Sequence, residues 1–180
     1  MSFTYWYWNK IISPPDVKKL NEKINYYVED CEDKRAANTT KITNVKTIQL
    51  GHIWDEIKPC INAAVTVNSF NFGMDIFEIT PNEFATLNDY DGSEKGEYDW
   101  HVDGERDKPF DLKLTFIINL SESKYEGGEF QLIHQKNKIT EFSQGGDAIL
   151  FKSYHPHKVL PVTYGSRRTL VIFFKGPRLR

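Results

Sequence analysis

The sequence predicts a mainly β protein, a β-sandwich or jelly roll braced on one side by helices. Two observations carry this. From Phe70 onward the apolar residues fall into short runs rich in β-branched and aromatic side chains, separated by turn signals at Asp91-Gly92, Gly127-Gly128, Gly145-Gly146-Asp147 and Tyr164-Gly165. Ahead of Phe70 the apolar spacing is helical instead. Strands gathered behind two or three helices are the pattern of a sandwich or jelly roll with helical support. No internal repeat, low-complexity tract or linker interrupts the chain, so the expectation is one domain over 1–180, with 1–69 as helical support and 70–177 as the β core.

Taken in order, Phe3 to Trp8 is an aromatic run suited to an opening strand. Ser13-Pro14-Pro15-Asp16 reads as a helix start: an N-cap serine, prolines where a missing N–H costs nothing, and an acid at the positive end of the dipole. Val17, Leu20, Ile24 and Tyr27 then form one apolar stripe of a helix from about Pro14 to Glu29. Asp30 to Asn44 is polar, without periodicity, and reads as an exposed loop carrying Lys34, Arg35 and Lys41. Ile53, Ile57, Ile61, Ala64 and Val65 give a second stripe, and Pro59 within it implies a kink or a new helix start. Strands are expected at Phe70–Thr80, Glu83–Leu87, Leu112–Leu120, Gly128–Ile133, Lys138–Phe142, Ala148–Phe151, Lys158–Val162 and Arg167–Phe174.

The 180 residues are 39% hydrophobic and carry a formal net charge of -2, so no basic field invites nucleic acid. Two cysteines are too few for a disulfide framework or a zinc-finger pattern, and both read as reduced thiols. No apolar run is long enough to span a membrane and no leader pattern opens the chain, which together predict a soluble, cytoplasmic protein.

The chemistry centres on Trp100-His101-Val102-Asp103. On an extended chain, side chains two apart point the same way, so His101 and Asp103 can reach one metal ion. A second histidine from elsewhere would complete the two-His, one-carboxylate set that leaves open positions on non-haem Fe(II). His157 and His155 both compete for that place, being two residues apart. His52 reads as a surface or first-turn histidine and His134 as a cross-strand surface residue.

In its second half the chain resembles the iron- and 2-oxoglutarate-dependent dioxygenases of the prolyl 4-hydroxylase type. The resemblance rests on Tyr90 and Tyr98 before His101-Val102-Asp103, the strand Lys113 to Ser121, and Tyr125-Glu126-Gly127-Gly128-Glu129-Phe130. It continues in Gly146 to Phe151, His157-Lys158-Val159-Leu160-Pro161-Val162 and Gly165-Ser166-Arg167-Arg168-Thr169-Leu170. It implies a double-stranded β-helix core packed by the N-terminal helices, with His101, Asp103 and His157 as Fe(II) ligands. His157 is preferred over His155 because a basic residue, Val and then Pro-Val follow it.

The resemblance also implies that Arg167, ten residues after His157, pairs with the distal carboxylate of 2-oxoglutarate. Thr169, on the same face, would add a hydroxyl; Arg168 would face away. Tyr90 and Asn119 occupy positions that approach the cosubstrate, although many prolyl hydroxylases carry tyrosine where Asn119 stands. With O2 as second cosubstrate, the implied reaction is C–H hydroxylation with release of succinate and CO2, on a prolyl residue of a peptide or protein. A free amino acid, small metabolite or nucleobase is the alternative substrate, and a non-enzymatic jelly-roll module the more distant one. Asn88 to Asp107 reads as a long acidic loop that could close as a lid and favour basic flanks on a substrate.

Overall fold

The computed structural model describes residues 4–30, 39–104, 108–132 and 141–178. Phe3, Cys31, Lys34, Arg35, Glu105, Asp107, Ile133, His134 and the expected strand start at Lys138 lie outside them. In chain order the elements are β1 (Tyr5–Trp8), α1 (Pro14–Tyr27), β2 (Glu29–Asp30), β3 (Lys41–Ile42), β4 (Asn44–Gln49) and α2 (Trp54–Val67). Then come β5 (Phe84–Asp91), β6 (Glu97–His101), β7 (Phe110–Asn119), β8 (Glu126–Gly127), β9 (Phe130–Leu132), β10 (Ala148–Lys152), β11 (His157–Val159), β12 (Val162–Tyr164) and β13 (Ser166–Pro177). No helix among the described residues is long and apolar enough to cross a membrane.

α1 begins as the sequence implies: Ser13 is extended, and its Oγ accepts the Asp16 backbone N–H at 3.4 Å. Val17, Leu20 and Ile24 are buried, whereas Tyr27 turns outward and stacks on His52, ring centroids 4.2 Å apart. α2 runs through Pro59 as one element, entered from a 3-10 turn at Leu50–Ile53. Its buried face is Ile57, Cys60, Ile61 and Ala64, with Val65 exposed, so the stripe sits one residue from the predicted edge.

Two expectations fail here. Phe70–Thr80 is not a strand: Asn68–Phe72 continues α2 as a π-helical turn closed by Gly73 in the left-handed region, and an irregular stretch follows, tied to β13 by the Phe77 N–H donated to the Lys175 carbonyl at 2.7 Å. Asn68 locks that exit by bonding both the N–H and the C=O of Met74. The polar segment before α2 is not all loop either, since β2, β3 and β4 pair with neighbouring strands there. Their sparse apolar residues gave no periodicity to read.

The strands form a seven-stranded sheet, β1-β10-β7-β13-β5-β4-β2, facing a four-stranded sheet, β3-β6-β11-β9, with β12-β8 as a small third pair; all ladders are antiparallel. Several expected strands are cut or extended. Of Gly128–Ile133 only Phe130–Leu132 is strand, as β9, with β8 just ahead of it; Lys158–Val162 divides into β11 and β12, while β13 runs through twelve residues. Glu141 and Phe142 belong to a turn.

β7 and β13 are buried on both faces, which explains their near-continuous apolar sequence. Leu114, Phe116, Ile118, Leu170, Ile172 and Phe174 meet the two helices in one core. Ile117 and Val171 join Tyr90, Phe130, Phe142, Phe151, Val159 and Val162 in a second core between the sheets. From Thr115 to Asn119 on β7 and from Arg167 to Phe173 on β13, ahead of the register shift at Phe174/Lys175, the odd-numbered residues therefore line the inside of the jelly roll.

Among the described residues, the acidic segment from Asn88 is mostly strand and not one long loop. β5 and β6 occupy most of it, joined by one short 3-10 turn. Asp89 is held by Arg168 and Asp91 by Ser93, so these carboxylates are structural.

Candidate active site

The ladder between β6 and β11 makes the site. His101 and His157 are register partners, and Val159 pairs with Tyr98, so β6 carries one more residue than β11 over that interval. This bulge sets Tyr98 and His101 on the same face, their rings stacked with centroids 3.4 Å apart and planes 14° from parallel. Asp103 lies two residues beyond, its backbone N–H donated to Ser153 C=O at 3.0 Å. Ligand atoms of His101, Asp103 and His157 all lie within 4.8 Å of one another, and no other such group occurs among the described residues.

Each of these three side chains is oriented from behind. The Nδ1 of His101 bonds the carbonyl of Asp99 at 2.7 Å, and the Nδ1 of His157 bonds the carbonyl of His155 at 2.9 Å. Both rings thereby carry their proton on Nδ1 and turn the Nε2 lone pair inward. Thr115 Oγ1 donates to Asp103 Oδ2 at 2.6 Å and is itself paired with Ser153 Oγ at 2.9 Å. Thr115 and Ser153 are buried.

The electrostatics suit a cation. Burial, then the neighbouring His157, pushes the His101 imidazole down to about 4, and burial pushes His157 down to about 4. Both are neutral near pH 7, as metal ligation requires. Burial raises the Asp103 carboxyl, against the Thr115 hydrogen bond and the His101 charge that lower it. Lys41 also favours the charged form, but burial outweighs these effects, and a divalent ion would supply further positive charge to the carboxylate.

The second half of the site is Arg167. It is 1% exposed, and its Nε and Nη2 have no hydrogen-bond partner among the described residues. Tyr90 and Phe142 place their rings 5.4 Å from its guanidinium carbon. A buried, unsatisfied guanidinium is costly unless an anion joins it, and its planar fork matches a carboxylate. Thr169 is buried on the same face, opposite Asn119 on β7, and Tyr90 is the register partner of Arg167 on β5. Arg168 points the other way, bonding Asp89 with Nε at 2.6 Å and Nη2 at 3.1 Å and Asn25 with Nη1 at 2.8 Å.

The seven residues singled out in the sequence thus fall into two clusters, and these share the inner β7 face: Thr115 toward the histidines, Asn119 toward Arg167. His155 is outside the converging set and contributes its carbonyl to His157. Thr115, Ser153 and Phe142 carry no site role in the sequence pattern, and Tyr125 enters it only within the Tyr125 to Phe130 motif. Thr115 alone left a local signal there, a hydroxyl in an otherwise apolar run two and four residues from Ile117 and Asn119.

Known proteins are similar to this chain in sequence and in fold. The chain is 36% identical over 89 residues to a PKHD-type hydroxylase of Janthinobacterium sp. (strain Marseille), covering 45% of this chain and 38% of that protein. It is 40% identical over 83 residues to a PKHD-type hydroxylase of Synechococcus sp. (strain CC9902), 44% of this chain and 36% of the relative. The match thus spans under two-fifths of either relative. Among solved structures, the fold resembles the viral collagen prolyl hydroxylase of Paramecium bursaria Chlorella virus-1 in its 2OG complex: TM-score 0.73, 18% identity, 97% of both chains. A Trichoplax adhaerens prolyl hydroxylase in complex with a hypoxia inducible factor peptide fragment follows at TM-score 0.68 and 18% identity, over 95% of this chain and 83% of that one. Residues 85–175, half of the chain, match the 2OG-Fe(II) oxygenase superfamily, and the chain belongs to that family.

Proposed function

We propose that this protein is a dioxygenase that couples oxidation of 2-oxoglutarate to hydroxylation of a C–H bond, that of a prolyl residue in a peptide or protein. O2 delivers one oxygen atom to the substrate as hydroxyl and one to succinate, with CO2 released. The observation that carries this reading is the convergence of two neutral imidazoles and a carboxylate against the same inner aromatic core, Phe130 and Phe142, that packs on a buried guanidinium whose Nε and Nη2 have no partner among the described residues. His101, Asp103 and His157 would hold Fe(II), the metal of the family, through Nε2, a carboxylate oxygen and Nε2. Bound iron supplies the one-electron chemistry that activates O2.

The remaining work belongs to the chain. Asp99 and His155 hold the imidazole tautomers, and Thr115 fixes the carboxylate plane. Arg167 binds the distal carboxylate of 2-oxoglutarate, with Thr169, Tyr90 and Asn119 around it, so the oxo-acid end faces the metal. Phe130, Phe142 and Phe151 exclude water from the inner wall; Phe130 and Phe151 sit 5.5 and 4.7 Å from the His157 ring. A prolyl substrate is supported by the PKHD-type and prolyl hydroxylase similarities and by the peptide bound to the Trichoplax protein.

The test needs no substrate. Anaerobic addition of Fe(II) and 2-oxoglutarate is expected to give a visible metal-to-ligand charge-transfer band. His101→Ala should abolish it, and Arg167→Ala should shift its half-saturation to higher 2-oxoglutarate. A folded wild-type protein with no band would refute the assignment. Mass-spectrometric detection of a +16 Da product on proline-containing peptides, against matched peptides without proline, then tests the substrate.

A further inference from the structure

Asn119 ends β7 fully buried, and its surroundings decide which way its amide points. Oδ1 accepts the backbone N–H of Ser121 at 2.9 Å, so Nδ2 is the group turned toward Tyr125, where it donates to the phenolic oxygen at 2.9 Å. A phenol oxygen that accepts from an amide keeps its own O–H for donation. Among the described residues no acceptor takes that proton.

The phenol stands beside Arg167. Gly128, in the left-handed region at φ 65°, is the point where the two side chains close: a Cβ there would come 2.9 Å from Arg167 Cδ and 3.5 Å from Tyr125 Cε2. Asn119 is opposite Thr169, two residues from Arg167 on the same face of β13. Tyr125 also packs against the inner core that holds Tyr90 and Phe142, the two rings flanking the guanidinium. A carboxylate has about four acceptor sites, and the three N–H hydrogens on Nε and Nη2 of Arg167 leave at least one of them open.

We infer that Tyr125 is a cosubstrate-binding residue, its hydroxyl donating to the carboxylate that Arg167 holds, and that Asn119 acts through it as a positioning residue. This rests on the 2-oxoglutarate reading given above. Asn119 aims the phenol by occupying its oxygen lone pair, so the pair works as one unit. The competing explanation is that the phenol only satisfies the buried Asn119 amide.

Tyr125→Phe separates the two, because it keeps the ring against Gly128 and removes one oxygen. In anaerobic charge-transfer titrations, the variant is expected to need roughly tenfold to hundredfold more 2-oxoglutarate, the cost of one hydrogen bond to a charged group. Fe(II) affinity measured alone should be unchanged, as should binding of pyruvate, an oxo-acid without the distal carboxylate. Asn119→Ala should weaken 2-oxoglutarate binding in the same selective way, and the double variant should be no weaker than Tyr125→Phe alone. Unchanged 2-oxoglutarate binding in Tyr125→Phe, or an equal loss for pyruvate, would overturn the inference while leaving the dioxygenase reading in place. A wild-type protein without a band would remove both.

Discussion

His101 and His157 show how far burial can prepare a side chain for metal ligation. An exposed histidine titrates near 6.5, while burial holds both of these near 4. The unfolded chain therefore binds more protons than the folded one between those values, so the histidines favour folding above about 6.5 and that contribution fades as pH falls toward 4. Asp103 acts with the opposite sign, because its raised carboxyl makes the folded state the better proton acceptor as pH falls. Asp103→Asn removes the opposing group and keeps an acceptor for Thr115. The metal-free Asp103→Asn protein should lose stability in urea unfolding between pH 7 and pH 5, and adding His157→Asn should make that loss smaller. A loss unchanged by the second substitution would show that His157 is not held neutral. Cys60 is shifted by the same force away from any site, since burial pushes its thiol up to about 11 and leaves it inert at neutral pH.

At the scale of elements, local sequence rules held where packing agreed with them. The N-cap of α1 and the paired positions of β7, β10 and β13 follow directly from residue type and period. Pro59 is the instructive exception. It lacks the N–H that would reach the carbonyl four residues back, yet α2 continues through it because Ile57, Cys60 and Ile61 are buried on either side. Pro59→Ala restores that bond on an exposed face. A proline inside a helix costs about 3 kcal/mol, and the proline returns up to about 1 kcal/mol by restricting the unfolded chain. The variant should gain on the order of 1–2 kcal/mol in urea unfolding; a loss of stability would mean that a bend at Pro59 is needed for packing. The bulge in β6 is the complementary case, since it follows from the register against β11 and no residue of β6 announces it.

At the scale of the whole molecule, the helices and the jelly roll stabilise one another. β7 and β13 present Leu114, Phe116, Ile118, Leu170, Ile172 and Phe174 to α1 and α2, all at 0–1% exposure. Polar bonds secure the same contact: Asn21 Nδ2 donates to the Leu120 carbonyl at 2.8 Å, and Arg168 joins Asp89 on β5 to Asn25 on α1. Residues 84–178 expressed alone would expose that apolar face, so they should aggregate or bind a hydrophobic dye such as ANS, unlike the full chain. A monomeric, cooperatively unfolding fragment would show that the helices are dispensable.

Near neighbours in the amino-acid sequence are enough to determine one set of features. These are the Ser13 cap, the strand runs of the second half, the His101-x-Asp103 pair and the alternation that sends Arg167 inward and Arg168 outward. Only the tertiary structure decided the rest, and each instance involves partners far apart in the chain. Ladder register set His157 opposite His101 and left His155 to supply a carbonyl. Long-range pairing made strands of Glu29–Asp30, Lys41–Ile42 and Asn44–Gln49, and Asn68 turned an expected strand into the exit of α2. Thr115 and Ser153 became supports of Asp103, and Asn119 was matched to Tyr125. A period reports which face a side chain takes; what stands across from it depends on how distant strands align, and the chemistry of the site is set there.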